Sequence, residues 1–326
     1  MVYTRDLSLA IVALILTGHM TQATLAINYL VSLAQHASNY TGPAGASFSS
    51  PYAWSQVYSV DGQTLDPSLR GEDQGMALFA ISTYVLATHN FTFAKDHWPE
   101  IQNSANFILY LQHSPEPNIK SDGLYRHGDN WHDTRVENMN ASEPIYWPYW
   151  PEYYQWEEEN MRMINGLRGA ITLAENLGMN SDAKTWNNSV NTAMVGLTDE
   201  GMYNKYEAYD YFGSVLWGIQ TNLQAQKNIL AEIPPSFFTP YGVKDLPWEN
   251  SAAISDTIDY LVCLVRVGDH AGASHLLNVI TSNYINPAGG FYDAIYDDGS
   301  PSSAPPQLYS SARFVYFDYV VSTLGG

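Results

Sequence analysis

Apolar residues recur at helical spacing in one segment after another, and polar stretches rich in Gly, Pro, Ser and aromatic residues separate them. Residues 73–89 carry Met76, Phe79, Ala80, Tyr84 and Leu86 near the helical period. Residues 95–113 carry Trp98, Ile101, Ala105, Ile108 and Leu109 along one face. The pattern predicts eleven helices, over residues 6–17, 22–36, 73–89, 95–113, 158–177, 181–196, 208–221, 223–231, 250–267, 269–284 and 308–323. Almost no stretch reads as a strand.

Loops of unequal length join these helices. Thr17-Gly18-His19 splits the first pair, whereas residues 37–71, 114–155, 233–247 and 285–307 form long connections. Long loops thus recur after every second helix, the alternation that an α/α toroid of helical hairpins requires. Loops of that length in a compact domain usually carry function. No fixed-length repeat marks a solenoid and no composition shift marks a boundary, so a single all-α domain over 1–326 is expected.

The charge narrows the partners. The chain has 33 Asp and Glu against 14 Lys and Arg, a net charge of −19, with the carboxylates spread along its length. Such a surface repels phosphate backbones and anionic membranes, so neither nucleic acid nor membrane is expected as a partner. No stretch is long and apolar enough to span a bilayer. Leu7 to Leu16 imitates the apolar core of a signal peptide, but Asp6 stands where basic residues belong and no small-residue cleavage site follows, so it reads as a buried helix. Extracellular and cytoplasmic locations both remain open. Four sequons begin at Asn39, Asn90, Asn140 and Asn187 and matter only in a eukaryotic secretory route. The single Cys263, within Tyr260-Leu-Val-Cys-Leu-Val265, packs as a small hydrophobe.

With 24 Tyr, 9 Trp and 11 Phe, the aromatic content fits two readings. One is a large aromatic core. The other is sugar binding, because the apolar face of a pyranose stacks on Tyr and Trp while its hydroxyls bond to carboxylates and amides.

Four constellations can carry chemistry. Tyr3-Thr-Arg-Asp6 opens a buried helix with an ion pair: Asp6 either serves the helix dipole or accepts bonds from sugar hydroxyls while Arg5 holds it. In Arg70-Gly-Glu-Asp-Gln-Gly-Met-Ala77, Asp73 is expected to cap a helix and Arg70 is the rival substrate contact. Tyr146-Trp-Pro-Tyr-Trp-Pro-Glu-Tyr-Tyr-Gln-Trp-Glu-Glu-Glu159 places three carboxylates after Trp156 at a helix start. It is either an acidic first turn or a site where mutual repulsion keeps one carboxyl protonated as a general acid. Gly289-Gly-Phe-Tyr-Asp-Ala-Ile-Tyr-Asp-Asp-Gly299 supplies Asp293, between aromatics, as a base, and Asp298-Gly299 as a turn. The nine His show no metal-ligand spacing and no Gly-rich phosphate loop occurs, so neither metal nor cofactor is expected.

Tyr3-Thr-Arg-Asp-Leu-Ser-Leu resembles the Arg-Asp motif that opens an inner helix of glucoamylases. Trp156-Glu157-Glu158 resembles that family's Trp-Glu-Glu. Gly299-Ser-Pro-Ser-Ser-Ala-Pro-Pro-Gln-Leu-Tyr-Ser-Ser-Ala312 is similar to the stretch before its final helix. Order and spacing agree over nearly the whole chain. The resemblance implies an (α/α)6 toroid and an inverting exo-glycosidase acting on α-glucosidic oligosaccharides or disaccharides, trehalose and maltose alike. It implies Glu157 as general acid, Glu158 as a substrate-binding carboxylate, and Arg5 and Asp6 as the grip on the terminal sugar. Where the family carries its base Glu followed by Gln, this chain reads Tyr292-Asp293-Ala294, which puts Asp293 in that role. The ring's first helix has no counterpart, so an open or truncated toroid is expected. Gly123-Leu-Tyr-Arg-His-Gly-Asp-Asn-Trp-His-Asp-Thr-Arg135 also resembles debranching-type and processing glucosidases, which brings in Trp131 and makes Asp133 the alternative acid. A sugar-binding or regulatory domain without hydrolysis is the rival from another class.

Overall fold

A computed structural model describes residues 1–34, 40–41, 47–48, 53–66, 69–113, 125, 157–198, 208–302 and 311–315. Among these residues the structure is predominantly helical. Its contacts group into two compact units, one of Met1–Ile11 with Met20–Met202 and one of Val12–His19 with Tyr203–Gly326.

The first unit begins with β1 (Val2–Tyr3), which leads into α1 (Thr4–Leu16), and α2 (Met20–Ala34) follows. Short strands β2 (Tyr40–Thr41), β3 (Ser47–Phe48), β4 (Val57–Tyr58) and β5 (Thr64–Asp66) precede α3 (Gly71–Thr88). Then come α4 (Phe91–Asp96), α5 (Trp98–His113), α6 (Glu157–Asn176) and α7 (Asn180–Thr198). The few strands are two or three residues each, too short to show an alternation in sequence, in keeping with the expectation of almost no strand. The helix expected over 95–113 is split at His97. Pro99 has no N–H to give to Lys95, so the hydrogen-bond ladder cannot run through.

In the centre of this unit α3 is buried all round over Gly71–Leu78 and crosses α6 at backbone distance. A Cβ on Gly75 would lie 2.7 Å from the Arg162 carbonyl oxygen, and one on Gly169 would lie 2.1 Å from Ser82 Oγ. Glycine at these points is a packing requirement, since only a bare backbone lets two helix axes approach so closely. Trp98 of α5 and Trp186 of α7 pack with ring centroids 5.7 Å apart.

The second unit contains α8 (Ala208–Leu216), α9 (Leu223–Ala231), β6 (Phe238–Thr239), β7 (Gly242–Val243), β8 (Ser251–Ala253), α10 (Ile254–Arg266), α11 (His270–Asn283) and β9 (Ala294–Tyr296). A helical stretch follows at 311–315. On α10 the buried apolar positions Ile254, Ile258, Leu261, Val262 and Val265 recur at helical spacing. They meet Phe212 and Val215 of α8 and Leu276 and Ile280 of α11 in one core, which also encloses Cys263. Its thiol is fully buried and points 3.7 Å from the Phe212 carbonyl oxygen.

One turn recurs through the chain. Helices α1, α6, α8 and α10 each run into a left-handed glycine, Gly178 at φ 74 and Gly268 at φ 78 being examples. The next residue returns its N–H to the last helical turn: Met179 to Ala174 (2.8 Å) and Asp269 to Leu264 (2.8 Å). This pairing satisfies carbonyls the helix would leave open and reverses the chain within a few residues. It is the reason α7 follows α6, and α11 follows α10, so closely.

Candidate active site

In the first unit an ion cluster forms at the N-terminal turns of α1, α3 and α6. Antiparallel pairing of β1 with β4 matches Val2 to Tyr58 and Tyr3 to Val57, and Thr4 donates its N–H to Gln56 O (3.1 Å) and its hydroxyl to Ser55 O (2.6 Å). These bonds fix where α1 starts, and therefore where Arg5 and Asp6 stand. Arg5 donates from Nε to Asp6 Oδ1 (3.2 Å) and from Nη1 to Glu72 Oε1 (3.1 Å). The other Glu72 oxygen accepts a bond from Arg162 Nη1. The Arg5 backbone N–H goes to Asp73 Oδ1 (3.2 Å).

Exposure grades across this cluster. The side chains of Arg5 and Asp6 are 34% and 21% exposed, those of Glu72 and Arg162 only 6% and 3%. It is open to solvent on the Arg5–Asp6 side and closed behind Glu72. Burial raises the Asp6 carboxyl above its ordinary value, opposed by the adjoining Arg5 charge. Asp73 lies deeper, with Oδ2 buried and accepting no bond. Burial, and then the negative charge of Glu72, push it well above the ordinary range.

The expectation that Asp73 caps a helix is corrected. The capping position is Arg70, whose φ −100 and ψ 142 are extended, and no side chain caps it. Asp73 instead sits inside the first helical turn and receives the start of α1. Gln74 is fully buried beside it, exchanging bonds with the Trp54 backbone (2.9 and 2.6 Å) and accepting one from Ser104 Oγ (3.1 Å). Arg70 is half-buried at the start of α3.

Glu157 and Glu158 are the first two residues of α6. Their side chains, together with residues Trp131, Asp133 and Trp156, lie outside the described residues. In the next positions Asn160 is fully buried and its amide brackets Tyr125, accepting from its N–H (2.8 Å) and donating to its carbonyl (2.9 Å). The Tyr125 hydroxyl meets Ser189 Oγ at 2.9 Å. Ser189 donates its own proton to Gln112 (2.7 Å), so Tyr125 is the donor.

Asp293, in the second unit, is half-buried just before β9, and burial raises its carboxyl above the ordinary value. Its carbonyl accepts the Ile254 N–H (2.9 Å), tying it to the first turn of α10. Asp298 is exposed and accepts from Ser300 N (2.9 Å) and Oγ (2.6 Å), forming the expected turn with left-handed Gly299. Asp297 pairs with Lys244 (3.2 Å) at the surface. A buried two-point pair joins Asp259 of α10 to Arg313, which donates from Nε to Asp259 Oδ1 (2.6 Å) and from Nη2 to the other oxygen.

Glu72 and Tyr125 stand inside motifs noted from sequence but were given no role there, and Arg162 and Asn160 stand in none. Arg162 did leave a signal: it stands between Met161 and Met163, both buried, and a cation on an apolar face needs a partner. Among the described residues no group of His, Cys, Asp and Glu is arranged to hold a metal ion, and no helix is long and apolar enough to cross a membrane.

The chain matches no protein-family model and no curated protein. Solved structures do resemble it. A glycosidase variant in complex with glucose aligns with a TM-score of 0.67 at 13% identity, covering 99% of this chain and 88% of that one. Cellobiose 2-epimerase from Bacillus thermoamylovorans aligns with a TM-score of 0.64 at 10% identity, covering 98% and 87%. A D-mannose isomerase aligns at 0.63 and 10%, with the same coverage of 98% and 87%. At these identities the likeness is one of fold. These neighbours are carbohydrate-active (α/α)6-toroid enzymes of hydrolytic, epimerising and isomerising kinds, and the all-α class expected from sequence is the class observed among the described residues.

Proposed function

We propose that this chain is a carbohydrate-processing enzyme, an inverting exo-acting glycoside hydrolase of the glucoamylase type that releases glucose from α-glucosidic substrates. The observation that carries this reading is the Arg5–Asp6 pair, oriented by buried charges yet partly open to solvent. A carboxylate beside a guanidinium offers acceptors and donors side by side, which matches adjacent hydroxyls on one sugar ring.

In this reading Arg5 and Asp6 hold the non-reducing-end sugar. Glu157 protonates the glycosidic oxygen, and Asp293 removes a proton from the attacking water. Desolvation of Asp293 raises its carboxyl above the ordinary value, which makes its carboxylate a stronger base. Glu158, Arg70 and Asp133 contact sugar hydroxyls, and Trp156 and Trp131 give the ring faces an apolar platform.

Glu157→Gln tests this assignment. The variant is expected to lose glucose release from maltose, trehalose or starch ends by a factor on the order of 100 or more while still binding glucose. Full activity in it moves the acid to Glu158 or Asp133. Conversion of a free sugar to an isomer, with no bond cleaved, supports the epimerase-like alternative suggested by the second group of fold neighbours.

A further inference from the structure

We infer that Glu72 is a positioning residue that pre-orients Arg5 for sugar, an inference resting on the reading that Arg5 and Asp6 hold the terminal ring. Glu72 carries a guanidinium on each oxygen: Arg5 from α1 on Oε1 and Arg162 from α6 on Oε2. The two arginines stand in different surroundings. Arg162 is buried between Met161 and Met163, and its charge is tolerable there because a carboxylate faces it.

Glu72 is therefore locked from behind, and its remaining oxygen is a fixed acceptor. Arg5 reaches that acceptor through Nη1 and gives Nε to Asp6, so two N–H groups define the plane of its guanidinium. Asp73 holds the Arg5 backbone N–H as well. An arginine otherwise loses much rotamer freedom when it grips a ligand; here the ordering is completed before sugar arrives. The chain of contacts runs from Arg162 through Glu72 to the Arg5–Asp6 pair, and it explains why buried charge is kept next to a half-buried ion pair.

The test uses the full chain with glucose as the probe, read by calorimetric titration and by 15N NMR of the Arg5 side chain. Glu72→Gln is expected to weaken glucose by about tenfold and to release the Arg5 guanidinium into fast rotation. Because Glu72→Gln strands the Arg162 charge, Glu72→Leu/Arg162→Met is made alongside it. It removes the buried pair together, keeps the fold, and is expected to show the same loss. Arg5→Ala weakens glucose at least as much, and adding Glu72→Gln to it costs nothing further. If Arg5→Ala weakens glucose but neither Glu72 variant does, the positioning role is overturned while the sugar site stands. A further loss on top of Arg5→Ala overturns it too, since Glu72 then acts by another route. If glucose fails to bind the native protein, or binds every variant equally, the sugar-site reading falls and the positioning role with it.

Discussion

Gly166 and Gly75 touch backbone to backbone: a Cβ on Gly166 would lie 2.2 Å from the Gly75 carbonyl oxygen and 2.6 Å from its Cα. This contact sets the distance between α3 and α6, and with it the distance between Glu72 on one helix and Arg162 on the other. Rigid neighbours make the clash costly, because no flexible side chain can give way. Gly166→Ala is expected to destabilise by about 1–3 kcal/mol and to weaken sugar binding as the two helices separate. Gly178→Ala is the control: nothing lies within 4 Å of its added methyl, and its cost is the left-handed strain alone, about 1–2 kcal/mol. Urea unfolding and glucose titration of both variants separate the two causes.

Asp259 and Arg313 make the corresponding test in the second unit. Arg313→Met leaves a fully buried carboxylate without its guanidinium and is expected to cost about 3–5 kcal/mol. Replacing both residues by apolar side chains is expected to recover most of that loss. Denaturant midpoints of the single and double variants decide it, and an equally unstable double variant contradicts the explanation.

Asp73 gives a pH dependence with a definite sign. Its folded pKa is raised chiefly by burial above the ordinary 3.8, so between those values the folded state holds a proton that the unfolded chain has lost. The contribution is complete below the unfolded value and disappears as pH rises through the folded one. Asp73→Asn keeps the oxygen that accepts the Arg5 N–H and removes the titration. The stability of the variant relative to the native protein is therefore expected to improve as pH is raised from about 4 towards neutrality. Thermal melts of both proteins across that range read the difference, and parallel pH curves count against a protonated Asp73.

Asn160 holds both backbone groups of a fully buried tyrosine. Asn160→Leu is expected to cost about 1–3 kcal/mol for each group left unpaired. Tyr125→Phe removes one neutral donor and is expected to cost only about 0.5–1.5 kcal/mol. Equal losses in the two variants would mean that the tyrosine hydroxyl, rather than its backbone, is the anchor.

The helices were legible because their apolar periodicity is strong and because glycines such as Gly18 and Gly178 stand at their ends. The Arg5–Asp6 opening was legible too, since an ion pair heading an apolar run is conspicuous. What the sequence left hidden is pairing at long range. Glu72 and Arg162 are separated by many helical turns, and neither one names the other in a linear reading. Gly75 and Gly166 look like weak points in helices until the crossing of α3 and α6 shows that they are contact points. Asp73 was misread because the pattern placed the helix start two residues late, and a residue at the cap and a residue inside the first turn have different partners. The short strands escaped because pairs such as Val2 with Tyr58 are set by tertiary contact rather than by local alternation.

The proposed inverting release of glucose is tested most directly by 1H NMR of the anomeric region during the first minutes of incubation with maltose, trehalose, isomaltose and soluble starch. The β-anomer of glucose is expected to appear first from an α-linked substrate and then to mutarotate, and Glu157→Gln is expected to suppress the signal. First appearance of the α-anomer, or no cleavage of any of the four by folded protein, contradicts it.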